Sequence, residues 1–373
     1  MRIAHVVTYI SPDGAFGGPA RVALGQAKAL SELGHEVTVF AAAPREIAGT
    51  TIHDGFTLKT FPSRRITRMG GFATMAAPQL TRDIDTKSPG FDIAHIHLAR
   101  DLVTVPAALK FMRARIPYVI QTHGMIDSSE RLLAKPLDVF ATKPILRHAK
   151  AVLTLTDREI YDISTIESSA RTIQIANGIS IGELAPYIGR QDMVLFLARL
   201  HERKRPLAFI EMAVELNRSS PTTHFVLAGP DEGEGKAVQD AIMNADMGDR
   251  LRWIGAVSPN ETADLMEAAR AYVLPSVGEV FPMTILEALR AGTPVVTTES
   301  LGIAADCADH GAALITDGSA EQLAAGVTRI LGERKVADGL RSGGLNYLRD
   351  NLDINEVAKK LESIYLGGGG NDA

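Results

Sequence analysis

Residues 271–298 read AYVLPSVGEVFPMTILEALRAGTPVVTT, with an apolar strand pattern at each end and a helical pattern between them. Ala271–Leu274 and Pro294–Thr298 are short β-rich runs of the kind buried in parallel sheets, whereas Leu286, Leu289 and Ala291 keep one helical face until Gly292. The same alternation of strand and helix recurs on both sides of this stretch. Ile3–Tyr9, Val37–Ala42, Ile93–His97, Tyr118–Thr122 and Ala151–Thr156 form a first set of strand patterns; Val194–Ala198, His224–Ala228 and Leu251–Ile254 join the two above in a second. Helical patterns separate them, which predicts an α/β chain whose parallel sheets are covered by helices on both faces. Between the sets, Asn177–Asp192 breaks both periodicities with Gly178, Gly182, Pro186 and Gly189, so the linker is expected there. The expected domains are residues 1–182 and 183–350. A last segment, 351–373, holds a helical pattern over Asn355–Leu366 with Val357, Leu361, Ile364 and Tyr365 on one side, then a frayed GGGGNDA tail.

Composition bounds the function classes. A chain of 373 residues with 46% hydrophobic content can bury two ordinary cores. Its single cysteine, Cys307, excludes an intramolecular disulfide and Cys-rich zinc sites, and suits a reducing cytoplasm. The opening MRIAHVVTYI, broken by Ser11-Pro12, reads as a buried strand rather than a signal peptide. No run of about 18 apolar residues supports a transmembrane helix. A net charge of −5 gives no bulk attraction to nucleic acid, so any anion must be bound locally.

The segment 275–296 also carries the clearest chemistry. Pro282 suits a first helical turn, because its missing N–H would be unpaired there. The free N–H groups of Met283 and Thr284, the helix dipole and the Thr284 hydroxyl can then hold a phosphate. Glu279 precedes the helix, and Glu287 lies inside it, where a carboxylate can accept hydrogen bonds from ribose hydroxyls. Taken alone, the two glutamates read as a solvated Glu279 and an ordinary helix-surface Glu287. In Leu197-Ala198-Arg199-Leu200-His201-Glu202-Arg203-Lys204, Arg199 offers phosphate a planar fork and Lys204 a compact charge; by themselves these too read as surface charge.

Together the segments resemble retaining glycosyltransferases of family 4, also called group 1. The E-x7-E signature appears as Glu279, Phe281, Leu286-Glu287-Ala288 and Gly292-Thr293-Pro294-Val295-Val296, and the strand-end Arg and Lys as Arg199 and Lys204. Gly17-Gly18 before a helix, Gly34-His35-Glu36-Val37, Thr122-His123-Gly124 and Asn177-Gly178 extend the resemblance over nearly the entire chain. It implies two Rossmann-like β/α/β domains facing a central cleft, the glycosyltransferase B-type fold. The acceptor would lie mainly on the N-terminal domain and the nucleotide-sugar donor on the C-terminal one, with the final helix crossing back. It implies His123 and Glu279 as catalytic residues, and Gly17, Gly18, Arg199, Lys204, Phe281, Met283, Thr284 and Glu287 as donor-binding residues. It implies retention at the anomeric carbon in transfer from a UDP- or GDP-sugar; front-face transfer is the most economical route and ranks above Glu279 as a covalent nucleophile, and no metal or other cofactor is expected. The partners implied are that donor and a sugar or lipid-linked acceptor of surface polysaccharide or glycolipid synthesis.

Several readings compete or depart from the pattern. The usual Glu-Gly-Phe-Gly is Glu279-Val280-Phe281-Pro282 here, and Arg205 stands where a Gly frequently follows the lysine. Asp83-Ile84-Asp85 matches a metal-binding Asp-x-Asp, but its polar setting before Lys87-Ser88-Pro89-Gly90 suits charge at a helix end better. Gly14 to Gly18 lacks the G-x-G-x-x-G order of a dehydrogenase. A nucleotide-sugar binding protein without transfer activity and a nucleotide-sugar epimerase are the alternative readings of the same residues. Ser63-Arg64-Arg65-Ile66-Thr67-Arg68-Met69 mixes cations with apolar groups, and fits an anionic membrane surface or a solvated loop equally. His35 reads as organising its turn, and His97 as one more strand-end histidine; neither is taken as catalytic.

Overall fold

The structure is a computed structural model that describes residues 1–11, 17–66, 74–84, 90–127, 134–182, 184, 187 and 189–368. The chain divides into two units. One comprises Met1–Ser11, Phe16–Ser180 and Ile354–Ala373, and the other contains Ile181–Asp353.

The first unit is built on strands β1 (Arg2–Tyr9), β2 (Glu36–Ala43), β3 (Gly49–His53), β4 (Phe56–Pro62), β5 (Arg64–Arg65), β6 (Met75–Ala76), β7 (Ile93–His97), β8 (Tyr118–Gln121), β9 (Ala151–Thr154) and β10 (Thr172–Gln174). Eight of them form one sheet in the order β10-β9-β8-β7-β1-β2-β4-β3, parallel except for the β3–β4 hairpin. That hairpin is absent from the strand patterns above. Its turn is Asp54-Gly55, both at positive φ (45° and 88°), the backbone of a type I′ turn. All of β3 is exposed, so it shows no alternation of apolar and polar residues. The short strands β5 and β6 pair separately, and Arg64, Arg65 and Ile66 are exposed there. The rest of the basic tract, from Thr67 onward, lies outside the described residues.

Apolar clusters cover both faces of this sheet. One joins Val6, Ile96, Ile120 and Phe111; the other joins Ile3, Val39, Val119 and the Gly17–Glu32 helix to Val357, Leu361, Ile364 and Tyr365 of helix Ile354–Leu366. The last turn of the Gly17–Glu32 helix closes with bonds from Gly34 N to Ser31 O and from His35 N to Leu30 O. His35 Nε2 then lies 2.9 Å from Glu362 Oε1 of the last helix.

The second unit has strands β11 (Gln191–Leu197), β12 (His224–Ala228), β13 (Leu251–Trp253), β14 (Ala269–Leu274), β15 (Val295–Thr298) and β16 (Ala313–Thr316), all parallel, in the order β13-β12-β11-β14-β15-β16. Counted within the unit this is 3-2-1-4-5-6, the order of the dinucleotide-binding fold. The chain leaves β11 on one side and returns as β14 on the other, so the switch point lies between these strands. In the first unit the equivalent point lies between β1 and β7. Side chains beyond the carboxyl ends of such strands are where this architecture binds ligands.

Candidate active site

In the second unit the loop after β11 and the loop after β14 meet at the switch point. Arg203 donates to the Gly278 carbonyl, and Val277 N donates to Arg203 O at 2.9 Å. This clamp brings Lys204 Nζ to 2.5 Å from Glu279 Oε1, with both side chains largely buried (14% and 17% exposed). Burial lowers the Lys204 pKa, and Glu279 opposes that shift. Arg199, more open, pairs with Glu232 at 2.6 Å. A cation and a carboxylate are therefore held side by side, each as the other's counter-charge.

Helix Met283–Arg290 follows this pair. Pro282 is its extended N-cap (φ −76°, ψ 102°) and not a residue of the first turn, which corrects the sequence expectation by one position. Met283 and Thr284 open the helix, so their N–H groups have no acceptor one turn back in the helix itself. The Thr284 hydroxyl is not idle: it lies 2.9 Å from the Tyr272 hydroxyl, which donates to Leu197 O at 3.1 Å. Tyr272 thus ties the helix start to β11. Phe281 and Glu287 are both partly buried around this start.

Two family-pattern departures acquire physical meaning here. Arg205 has φ 52° and ψ 53°, a left-handed conformation in which glycine is unstrained, so the frequent Gly after the lysine answers a backbone need. Its guanidinium reaches toward Gly318 and Asp317. The Val280 carbonyl sits where a Cβ on Gly302 would collide with it, and Gly302 N donates to Glu279 O at 2.8 Å. The Glu279-Val280 loop is thereby seated on a glycine elsewhere in the unit.

In the first unit, Thr122-His123-Gly124 forms a turn with positive φ at His123 (51°) and Gly124 (72°). Buried Glu159 holds that turn: Thr122 Oγ1 donates to it, Gly124 N donates at 2.6 Å and Leu155 N at 2.7 Å. The half-buried His123 ring lies with Nε2 2.7 Å from Nδ1 of His97. Behind it stand His5 and His95, both fully buried, with His5 Nδ1 3.3 Å from His97 Nε2 and His95 Nδ1 2.6 Å from the Tyr365 hydroxyl. Burial lowers the pKa of all four rings, to about 3 for His5 and His123, so they are neutral near neutrality.

Nitrogens of His5, His95 and His97 lie within 4.8 Å of one another, close enough to raise the question of a metal ion. Ring orientation argues against one. His95 and His97 stack with planes 7° apart and centroids 4.6 Å apart, so their in-plane lone pairs run side by side and do not converge on a point about 2.1 Å away. Asp83, the described half of the Asp-x-Asp, ends helix Pro78–Asp83 and pairs with Lys59 at 2.9 Å. Asp85 lies outside the described residues. Gly17 and Gly18 open helix Gly17–Glu32, and among the described residues nothing lies within 4 Å of a Cβ built on Gly18.

Residues 17–178 match the family model of the glycosyl transferase 4-like domain, and residues 187–344 match that of the glycosyl transferases group 1. The chain belongs to the group 1 glycosyltransferases. Among curated relatives it is 28% identical to the UDP-Gal:alpha-D-GlcNAc-diphosphoundecaprenol alpha-1,3-galactosyltransferase of Escherichia coli, over 58% of this chain and 60% of that one. It is 24% identical to the D-inositol 3-phosphate glycosyltransferase of Corynebacterium urealyticum, over 86% of this chain and 85% of that one. The solved structure of Anabaena HepE in complex with UDP and glucose matches with a TM-score of 0.74 at 19% identity, covering 98% of this chain and 99% of that one. That likeness establishes the two-domain glycosyltransferase B-type fold. In this group 1 glycosyltransferase the three side chains His5, His95 and Glu159 behind His123 were missed by sequence reasoning, and His97 was set aside as a strand-end histidine. Their signal was present: His95 and His97 share a strand face, and His5 pairs with His95 in register.

Proposed function

We propose that this chain transfers a hexose, with retention at the anomeric carbon and without a metal ion, from a nucleoside-diphosphate sugar to a hydroxyl of a sugar or lipid-linked acceptor. The observation that carries the reading is the Lys204–Glu279 pair at the β11/β14 switch point, just ahead of a helix N-terminus. Donor binding would exchange one partner for another: the diphosphate takes Lys204 with Arg199 and the Met283 and Thr284 amides, and Glu279 is released to the sugar hydroxyls. Glu287 would hold the ribose diol, and His123 would serve the reacting sugar. In front-face transfer the bond from the anomeric carbon to the diphosphate oxygen breaks as the acceptor oxygen bonds on the same face. The acceptor's proton passes to the departing diphosphate, whose charge the two cations and the helix dipole stabilise. The names of the relatives support a nucleotide-sugar donor, and that of the E. coli enzyme supports a lipid-linked diphosphate acceptor.

A thermal-shift screen of UDP, GDP and their common hexose conjugates tests the donor class. One nucleoside diphosphate and its sugar conjugate should raise the melting temperature, with about 2.7 kcal/mol of stabilisation at a ligand concentration of about 100 Kd. Absence of any shift across the panel would overturn the reading.

A further inference from the structure

The histidines behind His123 form a directed chain. His123 Nε2 meets His97 Nδ1 at 2.7 Å, His97 Nε2 meets His5 Nδ1 at 3.3 Å, and His5 Nε2 is buried without a hydrogen-bond partner among the described residues. Each nitrogen-to-nitrogen contact needs one N–H and one lone pair, and a neutral imidazole carries a single N–H. All three rings must therefore point their protons the same way along the chain. In one direction the row ends in an N–H on His5 Nε2 that has nowhere to donate. In the other, His5 donates to His97, His97 donates to His123, and the row ends in a bare lone pair. A buried donor left without an acceptor is the rarer and costlier of the two ends.

We propose that His97, backed by His5, is a positioning residue that fixes His123 as the Nδ1–H tautomer, so that His123 offers substrate a hydrogen-bond donor and not a base. The inference rests on His123 serving the transfer reaction described above. Two further observations fit it. The left-handed backbone of His123, clamped through its neighbours by Glu159, presents the ring in one orientation at a conformational cost the surroundings must hold. The His97 and His123 rings lie 9° from parallel with centroids 5.1 Å apart, so the tautomer is set by a ring that is itself fully buried. A donor on Nδ1 suits a hydroxyl or ring oxygen of a sugar; it cannot accept the acceptor's proton, which leaves that task to the departing diphosphate.

Histidine-labelled protein tests this by nitrogen NMR, with the His123 signals assigned by their loss in His123→Ala. The wild type should show His123 protonated on Nδ1 and bare on Nε2. His97→Asn, whose amide can still donate to Nε2, should keep that pattern and near-normal kcat. His97→Phe, which keeps a ring but has no donor, should move His123 to the Nε2–H form and lower kcat about tenfold or more with little change in donor KM. A wild-type Nε2–H tautomer overturns the proposal without recourse to any variant. So does normal turnover in folded His97→Phe when His123→Ala is impaired. If His123→Ala itself turns over normally, the catalytic reading of His123 fails, and the tautomer signal still decides the His97 contact on its own.

Discussion

Glu279→Gln lowers sugar transfer about 100-fold or more while the protein stays folded. The substitution keeps the size of the side chain but replaces an acceptor-only carboxylate with an amide, so one hydroxyl contact is lost and a donor N–H faces the sugar. It also strips Lys204 of its counter-charge. Lys204 is largely buried and its pKa is already lowered by burial, so loss of Glu279 lowers it further in the donor-free protein, until the diphosphate takes over as its counter-charge. Both losses arise from the one carboxylate. The Glu279→Gln/Lys204→Met double variant should consequently lose less than the sum of the two single losses, and fall closer to the larger one, because residues within one pair are not additive. Circular dichroism and a melting curve are the controls. Full turnover by folded Glu279→Gln would remove Glu279 from the site.

Stability should fall steeply between neutral pH and about pH 5. The pKa values of His5 and His123 are held at about 3 by burial, against 6.5 for the free side chain. Above 6.5 both folded and unfolded chains carry them neutral, and their contribution is fully present. Between 6.5 and about 3 the unfolded chain takes up protons that the fold refuses, so stability drops as pH drops. Each such histidine costs about 1.4 kcal/mol per pH unit in that window, or about 4 kcal/mol for the two by pH 5. His95 and His97 shift in the same direction. A domain of ordinary stability has about 5–15 kcal/mol in total. Glu167 does not confuse the reading: its carboxyl is held at about 2 against 4.5, so its own loss begins only below 4.5. Urea midpoints followed by circular dichroism at about pH 7.5 and pH 5 measure the effect. Equal midpoints at the two values would show that the four rings are not held neutral by burial.

The strands that the sequence patterns reveal are, β13 apart, those buried on both faces along most of their length: β1, β2, β7, β8 and β9 in one unit and β11, β12, β14 and β15 in the other. β3 escapes because it is an exposed edge whose Thr50, Thr51 and Ile52 give no apolar alternation, although Asp54-Gly55 announces its turn. β10 escapes because it is three residues long. At the site, residue types and strand ends point to phosphate and hydroxyl binding, but the partner of each charge does not follow from them. Lys204 meets Glu279 only because β11 and β14 are neighbours at the switch point and Arg203 clamps the second loop to the first. His97 reads as an ordinary strand-end histidine for the same reason: its value comes from β8 lying beside β7 and delivering His123 to its ring. Pro282 misleads by one residue, since proline fits an extended N-cap as comfortably as a first helical turn.

The most direct test of a nucleotide-sugar site in the second unit is calorimetric titration of UDP and GDP into the wild-type chain and into Lys204→Ala. One of the two nucleotides should bind the wild type, and the variant should bind it at least about tenfold more weakly with its circular dichroism unchanged, since a charge-assisted bond to phosphate is lost. Equal affinity in both proteins, or binding of neither nucleotide, would contradict the account.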